Sequence, residues 1–170
     1  MSRVMLLIVL VAATAGAAWA YGDPVQISKA GALVSDLLRK QMPPPPRAVE
    51  VPRGNTGEFG LQATINGVTA PMVIDTGATS VVLTWETARA LGLPLELLVY
   101  NVEVETAAGH TRAARLTLDR LAVGKLVERS VPALVVPRGQ MKTNLLGMSF
   151  LDRLESWEVR PDRLMLRGYP

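Results

Sequence analysis

From Val4 to Gly22 the chain runs without a charge, opening Val-Met-Leu-Leu-Ile-Val-Leu-Val directly after Arg3. That length approaches the ~20 apolar residues that carry a helix across a bilayer. Two readings fit. One is an uncleaved transmembrane anchor. The other is a secretory signal peptide, with Arg3 as its positive n-region and Ala18-Trp19-Ala20 as a small-x-small cleavage site, cut after Ala20. Both leave Arg3 in the cytoplasm and carry everything after Asp23 across the membrane. We assign residues 1–22 to an anchor or signal peptide, with the anchor as the working reading. In residues 23–55, Ile27, Ala30, Val34, Leu37 and Leu38 recur at helical spacing against Lys29, Asp36, Arg39 and Lys40, which predicts a short amphipathic helix. Pro43 to Pro46 then end any helix and stiffen the chain into an extended spacer. Pro and Gly continue to Asn55, so this stretch reads as a Pro-rich linker before a domain spanning 56–170.

Past Thr56 the pattern changes to short alternating runs. Glu58 to Ile65 and Val68 to Ile74 flank Asn66-Gly67, a strong two-residue hairpin signal. Ser80 to Leu83 is a further apolar run. Thr84 can cap a short helix through Ala90, with Gly92 ending it and Pro94 barring its continuation. Val102, Val104 and Thr106 alternate with Glu103 and Glu105, a half-exposed strand whose Glu residues read as its solvated face. A turn at 107–110 leads into Thr111 to Leu121, and Val123-Gly124-Lys125 turns into Leu126 to Val136. Leu145-Leu146-Gly147 is an apolar stop read as core packing. Met148 to Leu154 suits one or two helical turns. Trp157 to Val159 pairs with Leu164 to Leu166 around Pro161-Asp162. So many short strands, with turns about every ten residues, predict an all-β fold: a small, closed antiparallel β-barrel with one or two short helices, preceded by the N-terminal hydrophobic helix.

Composition removes most chemistries. Lys and Arg are scattered, the net charge is only +3, and no basic stripe with interleaved aromatics suggests nucleic acid. There is no Cys, so thiol catalysis and thiolate metal sites are excluded. His110 is the single histidine, which rules out a multi-His zinc site; no metal or cofactor is expected. His110 itself reads as a solvated turn residue. Trp85 and Trp157 read as core or interface anchors.

What remains is Asp75-Thr76-Gly77, set between the apolar runs Ala70–Ile74 and Ser80–Leu83. A carboxylate on a tight loop between two strands is how an aspartic peptidase presents its catalytic group. That chemistry needs two carboxylates sharing a proton, and the sequence holds no second Asp-Thr-Gly or Asp-Ser-Gly. An active site built on Asp75 therefore belongs to two chains. Thr76 offers a hydroxyl to brace two such loops. Gly77 lets the backbones approach and supplies an amide to the carboxylate, and Ala78 continues the small-residue requirement.

On Ile74-Asp75-Thr76-Gly77-Ala78-Thr79, the hairpin tip around Thr106 to Gly109, and Leu145-Leu146-Gly147-Met148-Ser149-Phe150-Leu151, the chain resembles the retropepsin-like aspartic proteases. The bacterial membrane-anchored or periplasmic branch, in which a hydrophobic segment and linker precede one protease domain, is the nearest likeness. It covers about Thr56 to Arg167. The resemblance implies a homodimeric acid-protease β-fold with one catalytic Asp75 per subunit and flaps, here Thr106, Ala107, Ala108 and Gly109, closing over an extended protein or peptide substrate. It implies an aspartic endopeptidase at the inner membrane, single-pass, with the protease domain in the periplasm. The flap has a single Gly, and the C-terminal strand is expected to pair within its own chain, so the interleaved terminal sheet of the viral enzymes need not form. Two other readings accompany this one: a catalytically silent membrane-tethered β domain that binds an extended partner peptide, and a purely structural envelope protein.

Overall fold

The computed structural model describes residues 35–36, 47–106 and 109–170. The chain divides into two units, 1–45 and 46–170. Of the first, only the exposed helical pair Ser35 and Asp36 is described. The expected anchor or signal peptide and most of the amphipathic segment and polyproline run lie outside the described residues. Among the described residues, no helix is long and apolar enough to cross a membrane.

The second unit opens on a strand where a linker was expected. β1 (Arg47–Pro52) pairs antiparallel with a strand near the C-terminus, so that Val49 faces Leu166 and Val51 faces Leu164. Only Val51 of its residues is fully buried, which is why so polar a run reads as linker. Next come β2 (Gly60–Ile65) and β3 (Val68–Ile74), joined at Asn66 and Gly67, both with positive φ of 47° and 92°. Two consecutive positive φ values match the twist of the flanking strands. β4 (Val81–Leu83) leads into helix α1 (Trp85–Ala90). Thr84 caps that helix, its hydroxyl oxygen accepting from the Thr87 amide at 3.2 Å, and Gly92 follows at φ 71°. A 3-10 turn at Leu95–Leu97 precedes β5 (Tyr100–Thr106), β6 (Gly109–Val123) and β7 (Leu126–Val135). The three-residue β8 (Asn144–Leu146), helix α2 (Met148–Leu151), β9 (Ser156–Val159) and β10 (Arg163–Gly168) complete the chain.

Strands β2, β3, β8, β4, β7 and β6 form the larger sheet in that order, and β6 pairs back onto β2, closing a six-strand barrel with β5 attached outside it on β6. Ile65, Met72, Val81, Leu83, Leu118, Leu121 and Leu146 fill its interior with Phe150 and Leu151 of α2. The barrel closes as expected but is not wholly antiparallel, which the sequence reading did not foresee: β3–β8 and β4–β7 are parallel pairs. The first arises because β8 returns late in the chain and wedges between β3 and β4, parallel to the one and antiparallel to the other. β1, β10 and β9 make a separate three-stranded sheet.

One buried polar side chain holds the insertion in place. Asn144, 3% exposed, accepts from the Thr84 amide at 2.9 Å and donates to the Pro71 carbonyl at 2.8 Å. It thus ties the middle of β3 and the residue that follows β4 to β8. Asn144→Ala removes this partner from the buried Thr84 amide and from the part-buried Pro71 carbonyl. The expected cost is about 2–4 kcal/mol, read as a lowered denaturant midpoint; an unchanged midpoint refutes the bracing role.

Candidate active site

The loop from Asp75 to Ser80 joins β3 to β4 across the top of β8, and its shape is set by hydrogen bonds to that strand and to α2. Asp75 donates its amide to the Leu146 carbonyl at 3.1 Å, and Ala78 donates back to the Asp75 carbonyl at 3.3 Å. From below, the Met148 and Ser149 amides donate to the carbonyls of Ala78 and Thr79 at 2.8 and 3.1 Å. The Ser149 hydroxyl accepts from Val81 N at 2.9 Å and donates to the Pro132 carbonyl at 2.8 Å. Gly147 lies directly under this loop: a Cβ there would stand 2.6 Å from the Ala78 carbonyl oxygen and closer still to that of Ser80. The segment expected to pack beneath the Asp75 loop is thus found there, as the floor that shapes the loop.

Asp75 is half-buried, and its Oδ1 accepts from the Gly77 amide at 2.9 Å. Thr76 is exposed, its hydroxyl without a hydrogen-bond partner among the described residues. Asp75, Gly77 and Ala78 open onto a cleft of about 680 Å³, whose walls also include Val82, Leu134, Val136, Met141 and Leu145. Most of these side chains form a second apolar cluster with Val102 and Val104, apart from the barrel core. Along β8, Leu146 points into the barrel while Leu145 faces the cleft, so the Leu-Leu pair divides between core and site. Sequence reading assigned both to the core.

A hairpin of β5 and β6 stands over the cleft. Thr106 and Gly109 pair at its end, with Gly109 at φ 111°; Ala107 and Ala108 lie outside the described residues. Among the described residues the hairpin reaches the cleft through Glu103, Val104 and Glu105. Both Glu side chains are exposed, as their alternation predicts, yet they line the site, which that reading missed. Glu103 lies 3.9 Å from Arg112, and Lys142 lines the facing loop. His110 is exposed opposite Glu105. The loop before β8 supplies Gln140, Met141, Lys142 and Thr143. Arg138 of this loop stacks over Trp85 at 5.1 Å, with Arg89 over the same ring at 5.5 Å. Trp85 is thus a half-buried tether for the cleft wall rather than a core residue.

A family model described as aspartyl protease matches residues 61–150, from β2 to α2. The chain belongs to the aspartyl protease family. Within it, the chain is similar to a solved retropepsin-like aspartic protease from Rickettsia conorii, with a TM-score of 0.67 and 31% identity over 73% of this chain and 92% of that one. The retropepsin-like fold read from its motifs is the fold observed. Two curated relatives are uncharacterized proteins. One, in the cobV 5' region of Sinorhizobium sp., is 40% identical over 111 residues, covering 65% of this chain and 48% of its own length. The other, RP867 of Rickettsia prowazekii (strain Madrid E), is 33% identical over 116 residues, covering 68% and 49%. The chain spans about half the length of these curated relatives.

Proposed function

We propose that this chain is an aspartic endopeptidase whose active site forms between two copies, each contributing Asp75. The observation that carries the reading is the Asp75 carboxylate, accepting a hydrogen bond from the Gly77 amide and presented on the floor of an open cleft beneath a hairpin. Two such carboxylates within hydrogen-bond reach cannot both ionise, the behaviour known for aspartic-protease dyads. The ionised member accepts a proton from a water held between them, and the protonated member donates to the scissile carbonyl oxygen. No metal, cofactor or covalent intermediate enters this chemistry. The two macroscopic pKa values belong to the pair. Across the two-fold axis, the exposed Thr76 hydroxyls brace the paired loops. The hairpins close over an extended protein segment, whose side chains enter the apolar wall of Val82, Leu134, Val136, Met141 and Leu145. The same reading takes residues 1–22 as an inner-membrane tether that holds the protease in the periplasm.

Mixing tests the shared site directly. Wild-type and Asp75→Asn chains, dissociated and reassembled in equal amounts, are expected to give about a quarter of the activity of wild type at equal total chain. A site complete in one chain gives about one half. A result of one half sinks the two-chain reading.

A further inference from the structure

The charge of the cleft runs against the charge of the chain. The sequence carries a net +3, yet the charged side chains lining the cleft are Asp75, Glu103, Glu105 and Lys142, three carboxylates against one ammonium. Between them the wall is apolar, formed by Val82, Leu134, Val136, Met141 and Leu145. A cleft of one prevailing sign with low-dielectric walls concentrates its field on whatever enters. The alternation of β5 places the two glutamates. Val102 and Val104 pack into the apolar cluster with Leu134 and Val136, so Glu103 and Glu105 project from the other face of the strand. Neither carboxylate is tied up within the fold. Glu103 meets Arg112 only at 3.9 Å, the two side chains being 82% and 70% exposed, and such a pair gives way easily. Glu105 stands opposite His110 in the hairpin register and forms no salt bridge among the described residues. Lys142 lies on the loop facing the hairpin, at the rim shared with a second groove along residues 60–62 and 71–73.

We propose that Glu105, with Glu103 beside it, selects substrate segments in which Lys or Arg adjoins an apolar residue near the scissile bond. The inference rests on the aspartic-peptidase reading and names the substrate class of that site. An extended peptide sends successive side chains to opposite faces. When one side chain enters the apolar wall, its neighbour in sequence turns away from that wall and toward the glutamate face of the hairpin. A long basic side chain suits that position, its stem lying along apolar surface while its charged head reaches the carboxylate. An acidic side chain there meets repulsion from Glu103, Glu105 and the ionised member of the Asp75 pair. Lys142 adds direction, since it repels a basic side chain from the loop side of the cleft. Because each copy brings its own hairpin, the two-chain site offers this seat on both sides of the scissile bond.

The test is a pool of synthetic peptides that share apolar pairs and carry Lys, Gln or Glu beside them. Full-length protein is given the pool, and mass spectrometry ranks the bonds by rate of cleavage. Lys-flanked bonds are expected to be cut about fivefold faster than their Gln counterparts, the scale of one exposed ion pair, and Glu-flanked bonds slower still. The preference should shrink between about 0.05 and 0.5 M salt, because exposed charges are screened. Glu105→Gln is expected to flatten the ranking, and Glu105→Lys to move it toward Glu-flanked bonds. Glu96→Lys makes the same charge change on the exposed 3-10 turn, outside the cleft, and should keep the wild-type ranking. A Glu105→Lys protein that cuts the same peptides in the same order as wild type overturns the selection and leaves the peptidase standing. A wild-type ranking indifferent to salt does the same. Wild-type protein that cuts nothing in the pool, basic or not, overturns the peptidase reading itself and the selection with it.

Discussion

Asp75→Asn is expected to abolish peptide cleavage while leaving the fold and its assembly intact. Asn keeps the size of the side chain and an oxygen that can accept from the Gly77 amide, now 2.9 Å from Oδ1. The loop beneath is held by backbone bonds from Leu146, Met148 and Ser149 that do not involve the carboxylate. What the substitution removes is ionisation. A pair of amides can neither take the proton from water nor return one to the carbonyl oxygen, so the loss should be at least the 10²–10⁴-fold attributed to general acid–base catalysis. It should also remove the repulsion between two approaching carboxylates, so association stays equal or tightens. Cleavage of an extended peptide, thermal melting and sedimentation separate these effects. Undiminished cleavage would falsify the catalytic role of Asp75. Lost cleavage together with a lowered melting temperature would mean instead that the carboxylate supports the fold.

The parts of this structure that were legible in the sequence are those fixed by neighbours in the chain. Asn66-Gly67 dictates the β2–β3 hairpin because both residues tolerate positive φ, whatever lies elsewhere. Thr84 starts α1 through its own hydroxyl, and Asp75 is visible because its chemistry is carried by a contiguous triplet. The insertion of β8 was not legible. Three residues show no periodicity, and their parallel partner Met72–Ile74 is chosen by barrel closure rather than by local propensity. β1 was hidden for a related reason: with one fully buried residue, its pattern is that of an edge strand and a linker alike. The cleft walls were the least accessible. Val82, Leu134, Met141 and Leu145 come from β4, β7, a loop and β8, and each looks like core until the barrel is closed. Glu103 and Glu105 satisfy the rule for an exposed face and also line the site, because the solvent they face is the cleft.

The second large effect is expected at a residue with no reactive group. Gly147 has φ of −92° and ψ of −172°, extended backbone open to any residue, so strain of conformation is not what requires glycine there. Space is. The Cβ of an alanine would press on the Ala78 carbonyl oxygen at 2.6 Å and on that of Ser80 more closely still, and both are backbone atoms that cannot swing aside. Ala78 O is also the acceptor for Met148 N, so moving it breaks a bond that shapes the loop. Gly147→Ala should therefore either push Asp75–Ser80 away from β8 or lift β8 from between β3 and β4. Overpacking on this scale costs about 3 kcal/mol, seen as a shifted denaturant midpoint. Molecules that remain folded should lose activity beyond the folded fraction, on the order of 10²-fold, since a displacement of about 1 Å at a reacting group costs that much. Measuring the midpoint and the cleavage rate per folded molecule on one sample distinguishes the two losses. A Gly147→Ala protein as stable and as active as wild type would show that the floor of the site is soft and that the placement of Asp75 is set elsewhere.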